Sequence, residues 1–293
     1  MRGMLFRPKR GIFPPQDTPT DSRTNLQPSA QLRTAHQRSC YWLSIVVNWG
    51  ITMRTKDAIR RVVWDSLKEN RVARFPGVEG RIPNFGGAEA CARILADAPY
   101  WRTAKVVKIN PDSPQRAIRQ RALAEGKTVY MAVPRLRSEK PFIELDPKKL
   151  SCSPYAASSI KGAAQHGRPV TLKELKKIDL VVCGSVAVNR RGARVGKGGG
   201  YSDLEFALLV EEKKIGHETA IVTSVHPLQI VDEQIPMTEH DIPLDAIVTP
   251  AELIEIKPRF SRPKGIYWKM LPPEKIEEIP ALAKRRDRPP DKH

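Results

Sequence analysis

Apolar residues Ile59, Val62, Val63 and Leu67 recur at helical spacing between Met53 and about Asn70, which predicts an opening helix. Ala88 to Ala96 repeats that spacing through Cys91, Ile94 and Leu95. The period then alternates. Ala104 to Ile109 reads as strand, Pro114 to Ala124 as helix and Thr128 to Val133 as strand, with Pro134 closing the strand. An apolar run from Leu180 reads as another strand, and from Ser202 the spacing of Leu204, Ala207, Leu208 and Glu211 is helical. Ala220 to Val225 and a last strand, Ala246 to Thr249, complete the pattern. Alternating strands and helices predict an α/β fold whose sheet is parallel and carries helices on its faces, with a ligand crevice at the carboxyl edges of the strands.

Other stretches punctuate this pattern. Phe75 to Phe85 is a loop rich in Pro and Gly, Phe142 to Leu145 a short strand, and Tyr155 to Gly167, small and polar, a flexible loop. Thr171 and Glu174 have the spacing of a capping box that starts a short helix. Residues 1–52 show no sustained period and read as a disordered extension. The preferred account is that Met53 is the natural start; an Arg-rich transit peptide is the rival. Residues 257–293 are rich in Pro and in basic residues, but the apolar positions in Gly265-Ile266-Tyr267-Trp268, Leu271, Ile276, Ile279 and Leu282 predict that they dock on the domain and leave Lys284 to His293 loose. The three segments are then 1–52, 53–256 and 257–293.

The chain has 293 residues, 40% of them hydrophobic, with no uninterrupted apolar run of spanning length. It therefore reads as a globular protein with a sizeable core and without a membrane helix. The formal net charge of +18 divides as +5, +7 and +6 over those segments. Such a balance fits polyanionic partners such as nucleotides, but charge held in the ends is weak evidence for a shaped nucleic-acid site. Tyr267 and Trp268 can stack on bases or anchor the tail, and no RNA-recognition module of the RNP type is visible. Cys40, Cys91, Cys152 and Cys183 form no Cys-x-x-Cys pair and read as reduced thiols of a cytoplasmic protein. The scattered histidines exclude a zinc-ligand spacing.

The chemistry concentrates between Leu180 and Val210. There an apolar strand leads into a loop holding Gly192, Gly196, Gly198, Gly199 and Gly200, followed by a helix. Glycines let backbone N–H groups approach an anion, and the helix adds its positive end. Arg190, Arg191, Arg194 and Lys197 surround the loop with cations that suit a polyphosphate. Asp203 at the helix start can cap the backbone or hold a magnesium ion. His226 can line the crevice or serve structure, and the pair His240-Asp241 can poise a proton or tie down a loop.

The segment Gly192-Ala193-Arg194-Val195-Gly196-Lys197-Gly198-Gly199-Gly200-Tyr201-Ser202-Asp203 resembles the glycine loop of the 5-formyltetrahydrofolate cyclo-ligase (methenyltetrahydrofolate synthetase) family, which typically reads Gly-x-Arg-Leu-Gly-x-Gly-x-Gly-Tyr-Tyr-Asp. A second block, Ile235-Pro236, His240-Asp241, Asp245 and Ile247-Val248-Thr249, is similar to that family's closing segment. The strand Gly184-Ser185-Val186-Ala187-Val188 and the tail Gly-Ile-Tyr-Trp…Leu-Pro-Pro-Glu resemble the family's divergent paralogues, which carry a methenyltetrahydrofolate synthetase domain.

The resemblance implies an open, mostly parallel sheet with helices on both faces, of the type shared by ribose-5-phosphate isomerase and the CoA-transferases. It implies ATP- and Mg2+-dependent conversion of 5-formyltetrahydrofolate to 5,10-methenyltetrahydrofolate: the formyl oxygen is phosphorylated, and N10 attacks the activated carbon. On this resemblance Lys56, Arg60, Arg194 and Lys197 bind phosphate, Gly196, Gly198, Gly199 and Gly200 give backbone contacts, Tyr201 shapes the pocket and Asp203 holds magnesium. The nucleotide end is kept better than the folate end: the family's second loop tyrosine is Ser202, its loop lysine Gly199, and an aspartate after the central strand is Asn189. Its pterin-holding acid has only Asp112 as a stand-in. ATP-dependent chemistry on another heterocycle, bordering on thiamine metabolism, and non-catalytic nucleotide or RNA binding are the alternatives. The oligomeric state is not readable from these residues.

Overall fold

The computed structural model describes residues 54–257 and 259–286. The expected extension over residues 1–52 and the stretch from 287 onward lie outside them. The chain begins with α1 (Lys56–Glu69), which Thr55 starts by accepting a hydrogen bond from the Ala58 N–H at 3.2 Å. Its apolar stripe of Ile59, Val63 and Leu67 is buried. Then come α2 (Ala88–Ala96), α3 (Pro99–Thr103), β1 (Val106–Ile109), α4 (Arg116–Ala124), β2 (Thr128–Ala132) and β3 (Phe142–Leu145). The middle holds α5 (Pro154–Ala157), α6 (Ile160–His166), β4 (Arg168–Val170), β5 (Leu180–Cys183), β6 (Ala187–Val188) and β7 (Arg194–Val195). The chain continues as α7 (Tyr201–Glu211), β8 (Ala220–Ser224), β9 (Ala246–Val248), β10 (Leu253–Glu255), α8 (Pro273–Glu278) and α9 (Pro280–Arg286).

Eight strands form one sheet in the order β10-β9-β8-β5-β1-β2-β3-β4. The central pairs, β9 to β8, β8 to β5, β5 to β1 and β1 to β2, are parallel, whereas β2–β3, β3–β4 and β9–β10 are antiparallel. The fold is therefore α/β with a mostly parallel mixed sheet. Side chains alternate across it, as the pleat demands. Tyr130, Ala132, Val181, Cys183 and Ile221 join α7 and the C-terminal helices in one core. Val129, Met131, Leu180, Val182 and Val222 join α2 and α4 in the other. Helices thus cover both faces. A third cluster packs α1 against the β6–β7 hairpin through Ile59, Val63, Val186 and Val195.

Four local expectations are corrected. Residues 154–167 are α5 and α6 rather than a flexible loop, because Ser153 and Ser159 cap them by accepting from the Ala156 and Gly162 N–H groups at 3.2 and 2.9 Å. The Thr171–Glu174 box starts no helix: Glu174 accepts from the Thr171 N–H and hydroxyl at 2.8 Å each, closing a turn. The strand at Ala246 is not the last, since β10 returns antiparallel to it. The run after Cys183 is not one continuous strand but breaks and folds back as the β6–β7 hairpin. The C-terminal segment carries Ile276, Ile279 and Leu282 into the first core, and Lys284 pairs with Glu139 at 2.6 Å.

Leu282 is fully buried. Leu282→Ala should therefore cost roughly 2–5 kcal/mol in urea unfolding; a loss below about 1 kcal/mol would mean that the tail is not part of the cooperative core.

Candidate active site

The strand order reverses beside β1: the chain first steps from β1 to β2, then returns to place β5 on the other side. A crevice opens at the carboxyl ends of such strands. Here Asn110 to Asp112 leave β1, and Gly184 and Ser185 leave β5. The β6–β7 hairpin pairs Ala187 with Val195 and Val188 with Arg194. Its turn is tied by Asn189, whose side-chain oxygen accepts from the Arg191 and Ala193 N–H groups at 3.1 Å each while its amide donates to the Glu233 carbonyl at 3.2 Å. Gly192 closes this turn at φ +87°, where a Cβ would sit 2.8 Å from the Leu244 carbonyl oxygen.

The hairpin delivers the loop Gly196–Gly200 to the amino end of α7. Gly198 and Gly200 adopt φ +103° and +67°, so the loop curls through a conformation that side chains disfavour. None of the backbone N–H groups from Lys197 to Gly200 donates to another described residue. They line up with the positive end of an eleven-residue helix, which is the arrangement that binds anions.

The loop is gripped from two sides through its carbonyls. Arg60 Nε donates to Gly196 O at 2.7 Å, and Lys275 Nζ donates to Gly199 O at 2.5 Å while lying 4.8 Å from the centre of the Tyr201 ring. A trans peptide points its N–H opposite to its C=O, so these bonds turn the Lys197 and Gly200 N–H groups away from the two cations. Tyr201 donates its hydroxyl to Glu278 at 3.4 Å. Lys197 is half-exposed and pairs with Asp112 at 3.3 Å.

Arg194 is buried at 4% exposure. Its guanidinium donates to Gly184 O at 3.0 Å and to Asp203 Oδ1 at 2.6 Å, and its Nε has no partner among the described residues. Burial opposes its charge, but Asp203 together with Cys183 and Asp241 outweighs burial and holds the guanidinium above its ordinary pKa. Asp203 Oδ1 also accepts from the Ile242 N–H at 3.4 Å. Among the described residues no group of three His, Cys, Asp or Glu is spaced to hold a metal ion.

Lys56 sits one helical turn before Arg60 but turns to Asp241, its Nζ lying 2.6 and 2.5 Å from the two carboxylate oxygens. Asp241 also accepts from the Thr238 N–H and hydroxyl at 2.6 and 2.7 Å. Burial raises the Asp241 pKa, yet the hydrogen bonds from Lys56 and Thr238 together hold it below the ordinary value. His240 makes no hydrogen bond to Asp241 among the described residues and meets the Thr238 hydroxyl instead. His226 accepts from the Leu228 N–H at 3.2 Å through Nδ1, and burial lowers its pKa. It is a capping group.

Beneath the loop, Lys108 of β1 forms a buried ion pair with Glu205 of α7 and donates to Asn110 Oδ1 at 2.5 Å. Asn110 in turn donates to the Ser202 hydroxyl at 3.2 Å. The structure therefore gathers Arg60, Arg194, Lys197, Tyr201, Asp203 and the glycines around one loop, with Lys56 turned aside to Asp241. Missing from the sequence reading were Lys275, which nothing in a basic tail singles out, and the pair Lys108–Glu205. A visible signal marked that pair: each charge interrupts an apolar run.

Residues 52–250 match the model of the 5-formyltetrahydrofolate cyclo-ligase family. The chain belongs to this family. It is 37% identical over 238 residues to a mouse methenyltetrahydrofolate synthase domain-containing protein, covering 80% of this chain and 64% of that one. The human protein of that name is 35% identical over 239 residues, covering 80% and 62%. The chain thus spans slightly less than two thirds of these relatives' length. A 5-formyltetrahydrofolate cyclo-ligase of Escherichia coli is 35% identical over 81 residues, 28% of this chain and 41% of that one. Among solved structures, the Aquifex aeolicus 5,10-methenyltetrahydrofolate synthetase aligns with a TM-score of 0.45 at 20% identity, covering 70% of this chain and 95% of that one.

In this cyclo-ligase-family chain, Ser202 and Asn189 have defined local roles: Ser202 accepts from Asn110, and Asn189 ties the hairpin turn. Lys275 lies after the residues that the family model matches. Among the described residues no helix is long and apolar enough to cross a membrane.

Two outcomes follow from the ion pairs. Glu205→Ala strands the buried Lys108 ammonium and should cost roughly 3–5 kcal/mol in chemical unfolding, whereas Lys108→Met with Glu205→Leu should cost clearly less. Equal losses would rule out a desolvated pair. Because the folded pKa of Asp241 is depressed, its contribution is present above the ordinary aspartate range near about pH 4 and is lost as pH falls through the folded value. Lys56→Met should therefore raise the acid-unfolding midpoint and flatten the dependence of stability on pH below about 4; an unchanged acid profile would remove this linkage.

Proposed function

We propose that the Gly196–Gly200 loop is the phosphate cradle of an ATP-dependent enzyme of cyclo-ligase type. The carrying observation is that the N–H groups of Lys197 to Gly200 have no acceptor among the described residues, at the start of α7, with the half-exposed Lys197 on the loop itself. Fixed donors and cations of this kind stabilise charge on a transferring phosphoryl group without reorganising. Lys197 offsets phosphate charge, while Arg60, paired with Asp57, holds the loop through Gly196 O. Arg194, with its charge answered by Asp203, shapes the loop from inside rather than meeting phosphate. Asp203 is engaged by Arg194 and the Ile242 N–H, so we assign magnesium to the nucleotide substrate, which would bring it as MgATP.

The reaction that family membership supports is phosphorylation of the formyl oxygen of 5-formyltetrahydrofolate, followed by attack of N10 on the formyl carbon and loss of phosphate, giving the methenyl product and ADP. Most of the protein's work would be alignment. A second acceptor, a different heterocycle, is favoured by one observation: where the family carries a tyrosine, Ser202 is held by Asn110 and offers no aromatic wall.

The test is a titration of the protein with MgATP by calorimetry, beside an absorbance assay for the methenyl product with 5-formyltetrahydrofolate. Lys197→Ala should weaken ATP binding by roughly 1.5–3 kcal/mol, the size of a lost charge-assisted contact, and Arg60→Ala should weaken it by releasing the loop that Arg60 holds through Gly196 O. Unchanged ATP affinity in both variants would remove the assignment. ATP binding without product would move the conclusion to the second acceptor.

A further inference from the structure

The tail does more than cover the first core. Between residues 265 and 275 it runs beside the amino half of α7 and borders a partly open cavity of about 120 Å³. Leu204 and Ala207 form the floor, Ile266, Tyr267 and Met270 are on the roof, and Gly200, Asp203, His240 and Lys275 supply the polar groups. This segment is anchored at both ends. The Ile266 N–H donates to Glu211 Oε1 at 3.0 Å, and Lys275 and Glu278 engage Gly199 O and the Tyr201 hydroxyl.

We infer that this cavity is a ring-binding subsite, adjoining the glycine loop, for a single flat aromatic or heteroaromatic ring that carries an anionic oxygen facing Lys275. Size sets the ring count. A cavity of about 150 Å³ holds one benzene, so the space of about 120 Å³ here fits one ring, with its open side left for the rest of the ligand. Apolar walls with few convergent polar groups are the pattern of small-molecule sites. Charge sets the polarity. Asp203 is already neutralised by Arg194, and Glu278 is paired with Arg137. Lys275 meets only a neutral carbonyl and a ring face, so its positive charge has no carboxylate partner among the described residues. The same Gly265, Ile266 and Tyr267 also line a second cleft of about 600 Å³.

This subsite deepens the nucleotide reading, on which its pairing with a phosphate donor rests; ring binding itself is tested separately. Benzoate and benzylamine are titrated against the intact protein by ligand-observed NMR, with ATP affinity and melting temperature measured on every sample. Benzoate should bind at least about fivefold more tightly than benzylamine, and Lys275→Gln should erase that preference. Ala207→Phe, which fills the cavity, should weaken both probes at least about tenfold. If that variant does not fold, Met270→Trp fills the cavity from the roof and replaces it. Failure of both rings to bind, or binding that survives cavity filling, would overturn the subsite. Ring binding with no ATP binding would uphold it and remove the nucleotide reading instead.

Discussion

Helix α7 is locked to the sheet by two buried ion pairs, Lys108–Glu205 from β1 and Arg194–Asp203 from β7. Burying charge is costly, and neither pair is explained as a simple source of stability. What the two pairs do is remove freedom. One sets α7 against the carboxyl end of β1, and the other sets it against the hairpin that precedes the loop. The Gly196–Gly200 segment between hairpin and helix therefore has both ends fixed, and its curl through left-handed backbone is held by its surroundings.

From that constraint the rest of the site follows. With the ends held, two cations from opposite ends of the chain, Arg60 and Lys275, reach the loop's carbonyls and leave its N–H groups facing the crevice. The same helix lines, with its amino half, the cavity that the tail borders. Membership of the cyclo-ligase family agrees with the loop side of this arrangement. The tail side is built from residues beyond the region that the family model matches.

Much of the fold was legible because burial on two faces of a parallel sheet writes a strong period. Val129 and Met131 face one core and Tyr130 and Ala132 the other, so β2 had to appear as a continuous apolar run. The misreadings share one cause. Ser153 and Ser159 cap short helices, Glu174 closes a turn, and β10 pairs only at an edge. The first three are contacts of single polar groups and the last a three-residue edge strand, and neither is long enough to carry a periodic signature.

For the site, the sequence by itself determined the cations, the glycines and their place between strand and helix, because each is a property of spacing. It also determined the family. Only the tertiary structure decided how the charges divide. Arg194 went to Asp203 inside, Lys56 to Asp241, and Lys197 to the mouth beside Asp112. Partner choice depends on which segments meet in space, and Lys56–Asp241 and Lys275–Gly199 join residues 185 and 76 positions apart. No local pattern encodes such pairings; the closing of the sheet around β1 and β5 makes them.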